Sequence, residues 1–246
     1  MPAPDPNPTG NPAAVPARVL PDRRTSRAAN AALNMAATVI RTTARTGLRR
    51  WLSLRVEGAE HVPVDGGVLI AASHTSHADS LALGAAIRRP LLFLGAANLA
   101  DTRVIGPLLP RLGLLPVERG EGDAGLLDGL AAELRAGGAL VVYPEGSRSR
   151  TLAVHRPRSG VARMAEATGV PVVPVGVTGT HVAWPVDGRP RMRPGIEVTV
   201  RIGAPMAPPV GGPKARRAWN QQLHATLVEL SGRPAADGLA PVGGAV

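Results

Sequence analysis

Residues Ser73-His74-Thr75-Ser76-His77-Ala78-Asp79 place an imidazole and a carboxylate five positions apart, directly after the apolar run Val68–Ala72 and before the helical stretch Ser80–Arg88. On a regular helix five residues turn by about 140°, so His74 and Asp79 meet only if His74 precedes the helix. Ser76 as the helix cap, with Asp79 in the first turn, lets the carboxylate reach back to the ring. A carboxylate on one ring nitrogen fixes the tautomer while the other nitrogen removes a proton, which is the equipment of a general base. Taken alone, the run also fits a hydrogen-bonded histidine at a strand end, or a metal held by His74 and His77.

Three further segments carry candidate chemistry. Tyr143-Pro144-Glu145-Gly146-Ser147-Arg148-Ser149 follows another apolar run. Pro144 and Gly146 enforce a turn there, and Glu145, Ser147 and Arg148 offer an acceptor, a hydroxyl and a guanidinium suited to a phosphate or hydroxylated headgroup. Gly113-Leu114-Leu115-Pro116-Val117-Glu118-Arg119 ends in an arginine whose planar fork can clamp phosphate oxygens, though a surface arginine reads the same way. In Gly169-Val170-Pro171-Val172-Val173-Pro174-Val175 the prolines flank β-branched residues and shape an apolar wall.

These segments, in this order and spacing, resemble the lysophosphatidic acid acyltransferase family of glycerolipid acyltransferases over residues 54–205. The family's His-x4-Asp motif falls on His74 and Asp79, its Gly-x4-[Asp/Glu]-Arg region on Gly113 to Arg119, its Pro-Glu-Gly-[Thr/Ser]-Arg-Ser motif on Pro144 to Ser149, and its Val-Pro-Val-[Val/Ile]-Pro-Val segment on Val170 to Val175. Ser73 stands where the family usually has Asn, Tyr143 where it more often has Phe, and Arg158 where members often carry a basic residue before a helix. The resemblance implies direct acyl transfer from acyl-CoA or acyl carrier protein onto the hydroxyl of lysophosphatidic acid, with His74 and Asp79 catalytic. It also implies that Arg119, Glu145, Gly146, Ser147 and Arg148 bind the substrate, with no metal and no cofactor. Glycerol 3-phosphate, a lyso-ornithine lipid or a glycosylated phosphoinositide are the alternative acceptors. A non-catalytic, Arg-rich membrane-surface or nucleic-acid-binding protein is the reading outside enzymes.

The elements that must position these residues follow from the apolar pattern. Short β-rich runs alternate with helical stretches, the signature of an α/β fold with a central, mainly parallel or mixed sheet flanked by helices. Predicted strands are Leu54–Glu57, Val68–Ala72, Leu91–Leu94, Leu114–Glu118, Leu140–Tyr143, Val172–Val177 and Ile196–Ile202. Predicted helices are Ser76–Arg88, Thr102–Leu112, Gly125–Arg135, Ser159–Thr168 and Pro213–Leu230, with Gly137, Gly138 and Gly169 at helix ends. The expected organisation is a disordered lead-in over 1–22, an N-terminal amphipathic helical segment over 23–53, an acyltransferase domain over 54–231 and a flexible tail over 232–246.

Composition narrows the partners. The formal charge is +10, and Lys214 is the only lysine, so the basic balance is arginine. That charge favours anionic membranes, phosphorylated substrates or nucleic acid. With aromatics at 2% the stacking platforms of a nucleic-acid binder are missing, and no nucleic-acid partner is expected. No cysteine is present, so a thiolate nucleophile and disulfides are excluded. No Gly-x-Ser-x-Gly elbow and no phosphate loop ending in Gly-Lys-Ser/Thr occurs.

The first residues lack a basic-then-apolar secretory pattern, and no run reaches the roughly 20 apolar residues of a spanning helix. The expectation is a peripheral or monotopic protein at the cytoplasmic face of the membrane. Arg27, Arg41, Arg45, Arg49 and Arg50 would supply contact with anionic lipid, though a packed helix with solvated arginines fits the same residues.

Overall fold

The structure, a computed structural model, describes residues 39, 42–43, 45–96, 113–117, 124–191 and 193–241. In chain order its elements are α1 (residues 45–51), β1 (Leu54–Glu57), β2 (Val68–Ala72), α2 (Asp79–Ala86), β3 (Leu92–Ala96), β4 (Leu114–Val117), α3 (Ala124–Arg135), β5 (Ala139–Val142), α4 (Ser159–Thr168), β6 (Val172–Thr178), α5 (Thr180–Ala183), β7 (Val198–Ile202) and α6 (Gly212–Ser231). The expected Thr102–Leu112 helix, Glu118, Arg119 and most of the expected N-terminal helix lie outside the described residues.

The strands form one mixed sheet in the order β1-β7-β6-β2-β5-β3-β4. Five neighbouring strands, β6 through β4, run parallel, while β7 pairs antiparallel with β6 and parallel with β1. All five residues of β2 are buried, as a central strand covered on both faces requires. Its alternation divides two cores: Val68, Ile70 and Ala72 join Leu83, Val173 and Val200 on one face, and Leu69 and Ala71 join Leu134, Leu223 and Leu227 on the other.

Pro174 is tolerated inside the sheet because the missing N–H falls on the β7 side, where the antiparallel ladder has ended. There Gly203 N–H donates to its carbonyl, and Val172 and Met206 exchange bonds beyond it. This local pairing allows a proline in a strand that would otherwise read as central.

Two expectations change. Ser76 does not cap α2: the residue before the helix is Ala78, and Ser76 Oγ instead accepts from Ala78 N at 2.9 Å. The carboxylate of Asp79 collects the amides upstream of the helix, because Asp79 opens the helix and its short side chain turns back. The tail expected to be flexible from 232 is docked through its described part. Val154 bridges Ala235, Val154 N donates to Pro234 O and Arg156 N to Gly238 O, so residues 233–241 lie as a strap along 154–158. Unpaired backbone groups on both segments find partners this way, a long-range match that no local pattern announces.

Candidate active site

His74, Tyr143, Glu145 and Thr180 all lie just beyond the carboxyl ends of β2, β5 and β6, the end of a parallel sheet where crevices form. The His74 ring projects from the turn after β2, and Nδ1 stands 2.9 Å from Asp79 Oδ2. The same carboxylate oxygen accepts Thr75 N at 2.8 Å and Ser76 N at 2.9 Å. Oδ1 accepts a short bond from the Thr180 hydroxyl. Asp79 is fully buried while the His74 side chain is 16% exposed, so the carboxylate is internal and the ring reaches the surface of the crevice. With Nδ1 carrying the hydrogen toward Asp79, Nε2 is left as the nitrogen that takes a proton.

Tyr143 fixes the ring from the side. Its own ring stacks on His74 with centroids 3.7 Å apart and 12° between planes, and its hydroxyl bonds Ser80 Oγ at 2.7 Å. Burial pushes the phenol's pKa far up, so it stays neutral.

Glu145 is fully buried, and both oxygens accept backbone amides: Oε1 from His74 N at 2.8 Å and Oε2 from His155 N at 2.9 Å. Burial raises its pKa, and the two amides work against that. The sequence reading grouped Glu145 with the headgroup contacts, whereas this geometry ties the carboxylate to the backbone of His74. Tyr143 to Gly146 form the expected turn, closed by Gly146 N–H to Tyr143 O at 3.0 Å. Gly146 has φ of +82°, and a Cβ there would stand 2.6 Å from Arg158 Nε, so glycine is required on both counts. Arg158 locks the turn: its backbone N donates to Pro144 O, Nε to Glu145 O at 3.3 Å and Nη2 to Ala240 O at 2.7 Å.

Beside this machinery opens a cavity of about 760 Å³ whose lining includes His77, Ser147, Arg148, Arg150, His155 and Arg189. Arg148 Nη1 lies 2.7 Å from His77 Nε2. Burial, then the Arg148 charge, lowers the His77 pKa and keeps that ring neutral. Arg150 is held bidentately by Asp187, at 2.9 and 2.8 Å. Ser147 Oγ donates to Pro241 O at 3.2 Å. Among the described residues, no group of three or more His, Asp or Glu side chains is placed to hold a metal.

The structure thus brings His74, Asp79, Glu145, Gly146, Ser147 and Arg148 of the sequence reading to one end of the sheet, and Arg119 lies outside the described residues. Sequence reasoning missed Thr180 and His155. The polar run Thr178-Gly179-Thr180-His181 at the end of an expected strand was a usable signal for the first, while His155 contributes a backbone amide and has no side-chain signature.

A histidine–carboxylate pair at the carboxyl edge of a mixed sheet, beside an arginine-lined cavity, has the equipment of a group-transfer site. The Acyltransferase family model matches residues 53–178, and the chain belongs to that family. Among its relatives, the 1-acyl-sn-glycerol-3-phosphate acyltransferase of Cocos nucifera is 31% identical over 91 residues, 37% of this chain and 29% of that one. The lyso-ornithine lipid O-acyltransferase of Pseudomonas aeruginosa is 32% identical over 112 residues, 45% of this chain and 43% of that one. Both matches span less than half of the relative. The crystal structure of the 1-acyl-sn-glycerophosphate (LPA) acyltransferase from Thermotoga maritima superposes with a TM-score of 0.68, at 24% identity and 86% coverage of both chains, which shows the shared fold.

Proposed function

We propose that the protein moves a fatty acyl group from a thioester, acyl-CoA or acyl carrier protein, onto the free hydroxyl of lysophosphatidic acid, giving phosphatidic acid. The observation that carries this reading is the His74–Asp79 pair opening beside an arginine-lined cavity. Nε2 of His74 takes the proton of the acceptor hydroxyl as its oxygen attacks the thioester carbonyl. The tetrahedral oxyanion then collapses, the carbon–sulfur bond breaks, and the thiolate leaves with the proton that His74 held. No acyl-enzyme forms and no resident cofactor is needed.

Glu145 sets the His74 backbone. Arg148, Ser147 and the other cations of the cavity hold the phosphate and so orient the hydroxyl before reaction, and Arg119 is proposed to join them. Attachment is peripheral. Among the described residues no helix is long and apolar enough to cross a membrane. α1 offers Arg45, Arg49 and Arg50 with Trp51 46% exposed, a combination suited to the cytoplasmic surface of an anionic bilayer.

The similarity to the Pseudomonas enzyme favours a second acceptor, a lyso-ornithine lipid. Purified protein assayed with acyl-CoA and acyl carrier protein against lysophosphatidic acid, glycerol 3-phosphate and lyso-ornithine lipid decides between them. Highest kcat/KM on lysophosphatidic acid supports the reading. Preference for another acceptor reassigns the substrate, and transfer to none overturns it.

A further inference from the structure

Arg233 follows Gly232, the residue that ends α6, and begins the C-terminal strap. Nε, Nη1 and Nη2 of its guanidinium are all buried, and none has a hydrogen-bond partner among the described residues. An arginine head withdrawn from water without bonds is expensive to keep unless a buried opposite charge compensates it. The strap lies against the loop that is bonded to such a charge. Pro234, its neighbour, accepts the amide of Val154, and the next amide, His155 N, donates to Glu145 Oε2 at 2.9 Å. His224 Nε2 also bonds Val154 O at 2.8 Å, so α6 and the strap grip this loop from both sides.

Two fully buried carboxylates, Asp79 and Glu145, stand at the site, each bonded to backbone amides next to His74. Amides supply partial charge, and among the described residues neither carboxylate forms a salt bridge with an arginine or lysine side chain.

We propose that Arg233 is a positioning residue for the reaction: from the strap, its buried guanidinium supplies the counter-charge to Glu145 and Asp79 and so fixes the backbone that carries His74. Arg233 acts through Glu145 and touches no reacting atom. The role rests on the acyl-transfer reading for its kinetic consequence but not for its electrostatic one.

The charges around Glu145 act in opposite directions. Burial pushes the Glu145 carboxyl up; the amides of His155 and His74 and then the Arg233 charge pull it down, and Asp79 pushes it up again. Burial lowers the Arg233 pKa, and Glu145 followed by Asp79 oppose this. The groups facing Glu145 are therefore Asp79 from α2, the His74 amide after β2, the His155 amide of the loop, Arg158 on its carbonyl and Arg233 from the strap. His181 of α5 shares the field of Arg233, its pKa lowered by burial first and by Arg233 second. Removing the Arg233 charge raises the Glu145 pKa further, so the carboxylate protonates at higher pH and competes with the amides it should accept.

The test uses the full chain with Arg233→Gln and Arg233→Lys. In Arg233→Gln, kcat should fall about tenfold or more, with KM for donor and acceptor within about twofold of the parent, because positioning is lost and binding is not. The acid limb of its kcat profile should move to higher pH by about one unit, and Arg233→Lys should restore most of both changes. A carbon-13 titration of the Glu145 carboxyl, read by NMR without any substrate, should show the same upward shift in Arg233→Gln. It isolates this proposal from the acyl-transfer reading, which fails separately if the parent protein transfers no acyl group. An unchanged Glu145 titration, or a Lys variant no better than Gln, overturns the role. Should Arg233→Gln not fold, a folded Arg233→Lys in which Glu145 titrates well above the parent does so too.

Discussion

Asp79 accepts four hydrogen bonds, from the His74 ring, the amides of Thr75 and Ser76, and the Thr180 hydroxyl, and it does so fully buried. Substituting Asp79→Ala orphans three N–H donors, since the Thr180 hydroxyl alone can turn elsewhere. Each orphan costs about 1–3 kcal/mol. A water entering the vacated space can bond two of them, which leaves one orphan and an expected loss of about 1–3 kcal/mol, or roughly 2–12 °C in Tm for a chain of this size. Asp79→Asn is different. With its oxygen in the Oδ2 position it keeps the three donors, and its amide faces Thr180, whose hydroxyl can reverse and accept. The ring tautomer survives and only the charge is lost, so Tm should fall by a few degrees and kcat by about 10–10². Thermal unfolding and steady-state acyl transfer on both variants check this. An Ala variant that melts with the parent refutes the bond inventory. An Asn variant about 10⁴-fold slower, the loss expected of a wrong tautomer, refutes the orientation assigned to the amide.

Tyr143→Phe loses the bond to Ser80 but keeps the stack on His74, so stability should fall by about 1 kcal/mol with kcat within about threefold, whereas Tyr143→Ala should slow turnover further; paired melting and rate measurements separate the two. Glu145→Gln presents an amide where one of two backbone N–H groups needs an acceptor, and denaturant unfolding should register a loss of about 1–3 kcal/mol. The His77 pKa is lowered by burial and then by Arg148. Its contribution to stability is therefore present above the ordinary value of about 6.5 and lost as pH falls through the lower folded value. Tm followed from pH 7.5 downward should drop less steeply through that window in His77→Gln than in the parent.

How much of this was legible depended on the sequence distance of each bond. The His74–Asp79 contact spans five residues and was readable as spacing, and the strands were readable as apolar runs between turn residues. The helix start was misplaced by three residues because Ser76 looks like a cap, while Asp79 in the structure takes the upstream amides. Glu145 reaches the His74 amide across 71 residues and Thr180 reaches Asp79 across 101. Such roles depend on β2, β5 and β6 being neighbours, which no local pattern encodes. The same holds for the antiparallel turn of β7 and for the strap: residues 233–241 are rich in Pro, Ala and Gly and read as loose, yet they bond the loop after Glu145.

The central claim is that His74 is the base that activates the acceptor hydroxyl, and the most direct measurement is the rate of acyl transfer from a thioester to lysophosphatidic acid by His74→Ala beside the parent protein. The His74 amide that Glu145 binds is backbone and survives the substitution, so the variant should fold with Tm within a few degrees. Its turnover should fall by at least about 10²–10³. A folded His74→Ala protein that transfers the acyl group at close to the parent rate would contradict the account.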